Sequence, residues 1–183
     1  MERTGFNSGP KKLPKFVSKE VIEQMLDKAR HDNDKHSTRN HLIMVFLWHT
    51  GVRGAECTKL RKRDVLSDSI MVRGGKGGKD RTVPIDLELS GLLRMYTDTM
   101  KADDVVFPIT SRQLRNIIYK YRIPGYDIHP HTFRHSFAVH CLNQGMNIKA
   151  LQRILGHGGL NTTSIYLDLV GSDIKESYAK VKW

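Results

Sequence analysis

One segment of the chain has no polar face. Leu42-Ile43-Met44-Val45-Phe46-Leu47-Trp48 is an unbroken apolar run of seven residues inside a stretch of helical length, about 39–50, that Thr50-Gly51 brings to a close. A helix that is apolar nearly all round has to be buried on every side. This one is therefore expected as a central core helix, with the rest of the chain as its cover. The run is too short to span a membrane, which takes about twenty residues. The N-terminus, Met1-Glu2-Arg3-Thr4-Gly5, lacks the apolar centre of a secretory signal. A chain of 183 residues can bury such a core as one domain, with at most a small appendage. Two cysteines, Cys57 and Cys141, are too few for a disulfide framework or a Cys-rich zinc site and are expected as buried thiols in a reducing cytosol.

The cover is legible in the surrounding periodicity. Residues 1–17 contain two prolines, two glycines and several lysines and are expected as an arm or linker. A helix over 19–30, capped by Ser18, puts Val21, Ile22, Met25, Leu26 and Ala29 on one side. Residues 31–38 are expected as a polar loop. Residues 53–60 are expected as a short helix that places Arg53 and Glu56 one turn apart. The period then changes: residues 69–73 and 81–85 are expected as strands of a β-hairpin with a glycine-rich tip. Helices are expected over 86–99, 110–121, 132–143, 147–155 and 161–168, the last capped by Asn161, with a short extended piece at Val105-Val106-Phe107. The fold class is mainly α with one small antiparallel sheet.

The charge is uneven. Thirty Lys and Arg against nineteen Asp and Glu give +11. Residues 51–85 carry +5 and residues 111–166 carry +6, with −3 between them over 86–110. Two basic blocks of this kind point to a polyanion, nucleic acid before an anionic membrane surface.

Four clusters could carry chemistry. In Thr50-Gly51-Val52-Arg53-Gly54-Ala55-Glu56 an arginine follows a helix break with a carboxylate one turn on; the same spacing also describes an ordinary surface ion pair. Lys76 and Lys79 lie in a run whose glycines let a backbone approach a phosphate, or simply form a flexible loop. Neither lysine is followed by Ser or Thr, so no P-loop is present. In His129-Pro130-His131-Thr132-Phe133-Arg134-His135, helical spacing puts His131, Arg134 and His135 on one face. Three histidines suggest zinc, but a cation among them repels a metal and no HExxH glutamate is present; an oxyanion suits them better. In Leu155-Gly156-His157, Gly156 ends a helix and His157 leaves a tight turn, with Tyr166 nine residues later; a lone tyrosine is also a common core residue. Taken together, two arginines, a lysine, histidines and a tyrosine are the parts for attack on a phosphodiester without metal.

In this order and spacing the clusters resemble the catalytic domain of the tyrosine site-specific recombinases, the phage integrase family. Leu13-Pro14-Lys15-Phe16-Val17-Ser18 is similar to the family's lead-in to that domain. Gly75-Lys76-Gly77-Gly78-Lys79-Asp80-Arg81-Thr82-Val83-Pro84-Ile85 is similar to its lysine hairpin, and Val106-Phe107-Pro108 to a short landmark. Pro130-His131-Thr132-Phe133-Arg134-His135 matches its HxxR box. Leu155-Gly156-His157, Asn161-Thr162-Thr163 and Tyr166 match its last box and nucleophile. The resemblance implies that Arg53 and Arg134 clamp the scissile phosphate and that Lys76 is the general acid, with Lys79 its rival. It implies His131 as general base for Tyr166, His157 as a donor to a phosphate oxygen, Glu56 as a supporting partner and His135 as a structural neighbour. Tyr166 would form a 3′-phosphotyrosine, and no metal or other cofactor is implied.

The implied partner is double-stranded DNA bearing a specific recombination site, with assembly to a tetramer on DNA and no membrane. Lys59, Arg61, Lys62, Arg63, Arg73, Arg81, Arg112 and Arg115 are the expected DNA contacts. The implied setting is the cytoplasm, at the nucleoid, of a prokaryotic, viral or mobile-element host. Residues 18–183 are expected as the catalytic domain with a tail from about 169, where Ile174, Tyr178 and Val181 recur at helical spacing and could dock on a neighbouring protomer. No counterpart of the family's N-terminal core-binding domain is legible before Arg53, as in a trimmed fragment or a compact invertase-like member. Cys57 stands where the family often has leucine, and the segment between hairpin and His131 is short. A type IB topoisomerase and a non-catalytic DNA-binding derivative of the fold are the alternatives.

Overall fold

The apolar run lies where its composition requires. In the computed structural model, which describes residues 15–74 and 78–156, helix α2 spans Ser37–Thr50 and buries Leu42, Ile43, Met44, Val45, Phe46, Leu47 and Trp48. Its neighbours are α1 (Lys19–Arg30), the short α3 (Gly54–Cys57), α4 (Leu87–Thr97) and α6 (Pro130–Asn143). Phe46 meets Phe107 edge-on at 5.5 Å between ring centroids, and Trp48 packs on His140 at 5.1 Å. Two amphipathic helices complete the cover. α1 turns Val21, Ile22, Met25 and Ala29 inward; α5 (Ser111–Tyr121) does the same with Leu114, Ile117, Ile118 and Tyr121. α7 spans Ile148–Leu155.

The sheet has two antiparallel strands, β1 (Ser69–Val72) and β2 (Arg81–Pro84), with Ser69 opposite Pro84 and Val72 opposite Arg81. The expected extended piece at Val105-Val106 pairs instead with the stretch after α3. Arg61 bridges Val105, and the Val106 amide donates to the Leu60 carbonyl at 2.8 Å. That pairing explains the shortness of α3. Residues 53–60 are not one helix, because the chain leaves helical geometry after Cys57 to reach this edge.

Other local details differ from expectation. α2 begins at Ser37, so the polar loop is shorter. That loop is tied down: Lys120 pairs with Asp32 and Asp34, and the Tyr121 hydroxyl donates to Asp32. α6 begins at Pro130, whose fixed φ and missing N–H suit a first helical position. Ser18 occupies the cap position of α1, but its hydroxyl does not cap the helix. The expected helix over 161–168, its Asn161 cap and the amphipathic tail lie outside the described residues.

Gly51 is fixed by two constraints. It ends α2 in the left-handed region at φ 59°, and a Cβ there would lie 2.3 Å from Phe137 Cδ1. The turn that presents Arg53 therefore depends on glycine both for its backbone and for the α6 ring packed against it.

Candidate active site

Arg53 is the residue just before α3, with extended backbone. Its amide donates to Glu56 Oε2 at 2.7 Å and its guanidinium Nη1 to Glu56 Oε1 at 3.0 Å. The expected one-turn spacing is realised, but Glu56 has a second and stronger claimant. Arg81, at the start of β2, approaches both carboxylate oxygens, Nη1 to Oε1 and Nη2 to Oε2, each at 2.8 Å. Burial alone would raise the Glu56 pKa. The Arg81 hydrogen bonds, the Arg53 amide and the two guanidinium charges overcome it and hold the carboxyl at about 2. The pair is thus not an ordinary surface contact: Glu56 is a charged, largely buried anchor.

Arg134 is buried in α6. Its Nη1 donates to the Gly51 carbonyl and its Nη2 to the Leu155 carbonyl, both at 2.7 Å. These are the C-terminal ends of α2 and α7, so one guanidinium joins the two turns that lead to Arg53 and to His157. His131 lies one helical turn before Arg134, at the N-terminal end of α6. Its ring is 6.4 Å from that of His135 and 6.3 Å from that of His129. Partial loss of hydration lowers its pKa, and the charges of His129, Arg134 and Arg53 lower it further. His131 is thus within electrostatic reach of both arginines. His135 is more enclosed, and burial, with His131 and Arg134 beside it, takes it to about 4. At neutral pH both imidazoles are uncharged and can accept a proton. Among the described residues no group of His, Cys, Asp or Glu is arranged to hold a metal ion.

A cleft of about 400 Å³ opens between α3 and the hairpin, with Arg53, Glu56, Lys59, Arg73 and Gly74 in its walls. The hairpin tip is bounded by Gly74 and Gly78, both in left-handed conformations. Lys76, between them, lies outside the described residues, as do His157 and Tyr166; Lys79 is exposed. α7 ends at Gly156, immediately before His157, as expected, with the glycine in the left-handed conformation.

The model of the phage integrase family matches residues 15–171. The chain belongs to that family. A curated relative, the tyrosine recombinase XerA of Thermococcus kodakarensis, is 33% identical over 186 residues, covering 94% of this chain and 64% of its own length. The chain thus spans somewhat under two thirds of that relative. Among solved structures, the XerH site-specific recombinase bound to difH substrate in a pre-cleavage complex superposes with a TM-score of 0.73 at 26% identity, covering 96% of this chain and 56% of that one. The catalytic domain of bacteriophage HP1 integrase superposes at 0.70 and 26% identity, covering 90% of this chain and 94% of that domain. The expected fold, mainly helical with a small antiparallel sheet, is the integrase-family fold.

Within this fold the eight expected DNA contacts separate. Lys59, Arg112 and Arg115 are exposed. Arg61 donates to the Asp103 carbonyl, Arg63 pairs with the Asp103 carboxylate, and Lys62 donates to Thr97 Oγ1 at 2.7 Å. The acidic block around residue 103 therefore folds onto the first basic block. Arg73 is held by buried Asp64 at 2.6 Å and lies 3.7 Å from Asp80. Arg81 stands apart from the other seven: its side chain is 10% exposed and its guanidinium holds both oxygens of Glu56. Cys57 and Cys141 are buried thiols as expected; burial raises both, Cys141 to about 11.

Proposed function

We propose that this chain carries the chemistry of a site-specific DNA recombinase that breaks and rejoins DNA through a 3′-phosphotyrosine. The observation that carries this reading is that, in a member of the phage integrase family, Glu56 holds Arg53 and Arg134 ties together the turns that lead to Arg53 and away from α7. The solved XerH complex with its difH substrate supports DNA as the partner. Arg53 and Arg134 grip the non-bridging oxygens of the scissile phosphate and offset the charge that develops in the transition state. His131, neutral at working pH, takes the phenolic proton of Tyr166. The tyrosine oxygen bonds to phosphorus, the bond from phosphorus to the 5′ oxygen breaks, and Lys76 gives that oxygen its proton. His157 donates to a phosphate oxygen. The phosphotyrosine is then attacked by the 5′ hydroxyl of a partner strand, which restores the tyrosine.

Residues 18–183 form the catalytic domain in this reading. The active species is a tetramer on paired sites in the cytoplasm, and the tail from about residue 169 lies against a neighbouring protomer. The test is a nicked suicide duplex carrying the inverted repeats that flank the gene. Wild type should yield a denaturant-resistant protein–DNA adduct, and Tyr166→Phe should yield none. An equal adduct from Tyr166→Phe, or none from wild type on any flanking repeat, overturns the reading. Efficient relaxation of plasmid lacking such repeats would replace strand exchange with topoisomerase activity.

A further inference from the structure

Arg81 touches three segments that the sequence places far apart. It begins β2, just after the lysine-bearing tip. It holds both oxygens of Glu56 at 2.8 Å, and Glu56 in turn holds the amide and guanidinium of Arg53. Its Nε donates to the Ile154 carbonyl at 2.7 Å, in the last turn of α7. Gly156, two residues on, lies flat on the same side chain: a Cβ there would come within 2.9 Å of Arg81 Cδ and 3.0 Å of its Nε. Hairpin, first arginine and the turn before His157 therefore meet on one guanidinium.

We propose that Arg81 is a positioning residue for strand cleavage: by bridging Glu56 and the end of α7 it sets the pose of Arg53 relative to the hairpin and the His157 turn, without touching DNA. The proposal rests on the recombinase reading. The planar, five-donor fork of arginine is needed because three acceptors in two directions are served at once. A lysine keeps the charge but not the fork. Gly156 sits close against the same guanidinium, so the end of α7 and Arg81 are packed as well as hydrogen-bonded.

The test compares wild type, Arg81→Lys and Arg81→Gln in single-turnover cleavage of the suicide duplex, DNA binding across salt concentrations and urea unfolding. Arg81→Lys should cleave on the order of 10²-fold more slowly, the cost of a displacement of about 1 Å at a reacting centre. Its DNA affinity and salt slope should match wild type. Arg81→Gln, which can still donate to Glu56 but cannot reach Ile154 as well, should show the same split and stands as the test if Arg81→Lys does not fold. Wild-type cleavage with a lowered unfolding midpoint would reduce Arg81 to a structural role and overturn the proposal. Weakened binding in step with cleavage would return it to a DNA contact and do the same.

Hydrogen exchange separates this proposal from the recombinase reading. Even if wild type forms no adduct, Arg81→Lys should speed exchange at the amides of Arg53 and Gly156 together. Unchanged exchange at either overturns the bridge.

Discussion

Arg134 Nη2 lies 2.7 Å from the Leu155 carbonyl, and its Nη1 lies at the same distance from the Gly51 carbonyl. The residue assigned to the phosphate is thus also a structural tie between two helix ends. Arg134→Ala should strip both buried carbonyls of their donor and lower stability by about 2–5 kcal/mol. Arg53, with its side chain 26% exposed, carries a smaller structural share: its guanidinium bonds Glu56, which Arg81 also holds. Arg53→Ala should lower the urea midpoint less than Arg134→Ala and reduce cleavage far more than binding. Side-by-side urea unfolding and cleavage rates check the contrast.

Gly51→Ala should be among the most destabilising single substitutions outside the apolar core. It forces a side chain into a left-handed residue, costing about 1–2 kcal/mol, and drives its Cβ into Phe137 Cδ1 at 2.3 Å. Phe137→Leu should recover part of the steric loss when combined with it, and none of the backbone loss. A double-mutant cycle in urea reads the coupling.

Acid should weaken the fold in two windows. His135, at about 4 when folded against an ordinary 6.5, gives stability that is present above pH 6.5 and lost as pH falls toward 4. Glu56, at about 2 against 4.5, gives stability present above pH 4.5 and lost as pH falls toward 2. His135→Gln should flatten the upper window and Glu56→Gln the lower one. Urea midpoints measured from pH 7 to pH 3 check the upper window in full and the onset of the lower.

DNA affinity should respond to which basic side chains are committed elsewhere. Arg112→Ala should lower the log–log salt slope by about 0.9, one phosphate's worth. Asp103→Asn should act in reverse and tighten binding, because it releases Arg63 from its carboxylate. Titrations at several salt concentrations distinguish the two directions; a weaker Asp103→Asn would show that Asp103 orients Arg63 for DNA rather than withholding it.

Much of this was legible in the chain. The apolar run at 42–48 could only be a buried helix, and α1 and α5 follow from one-sided periodicity with the boundaries given by their inward residues. Arg53 with Glu56, and His131 with Arg134, were legible because each pair lies within one helical turn. Arg81 was not. Its partners are 25 residues before it and 73 residues after it, and local spacing carries no information about pairs that only the hairpin and the end of α7 bring together. Summing charge by segment has the same limit: Arg63 and Asp103 belong to opposite blocks of the sequence and one contact of the fold. The early exit from α3 at Cys57 was likewise decided by a distant segment, Val105-Val106.

The ends of α2 and α7 that meet on Arg134 carry the negative poles of their helices, each equivalent to about half an elementary charge. In the proposed reaction, two such poles left bare would meet the phosphate with like charge, and the buried guanidinium offsets them in part while still offering charge to it. On that reading, substituting Arg134 would both withdraw an attraction and expose a repulsion.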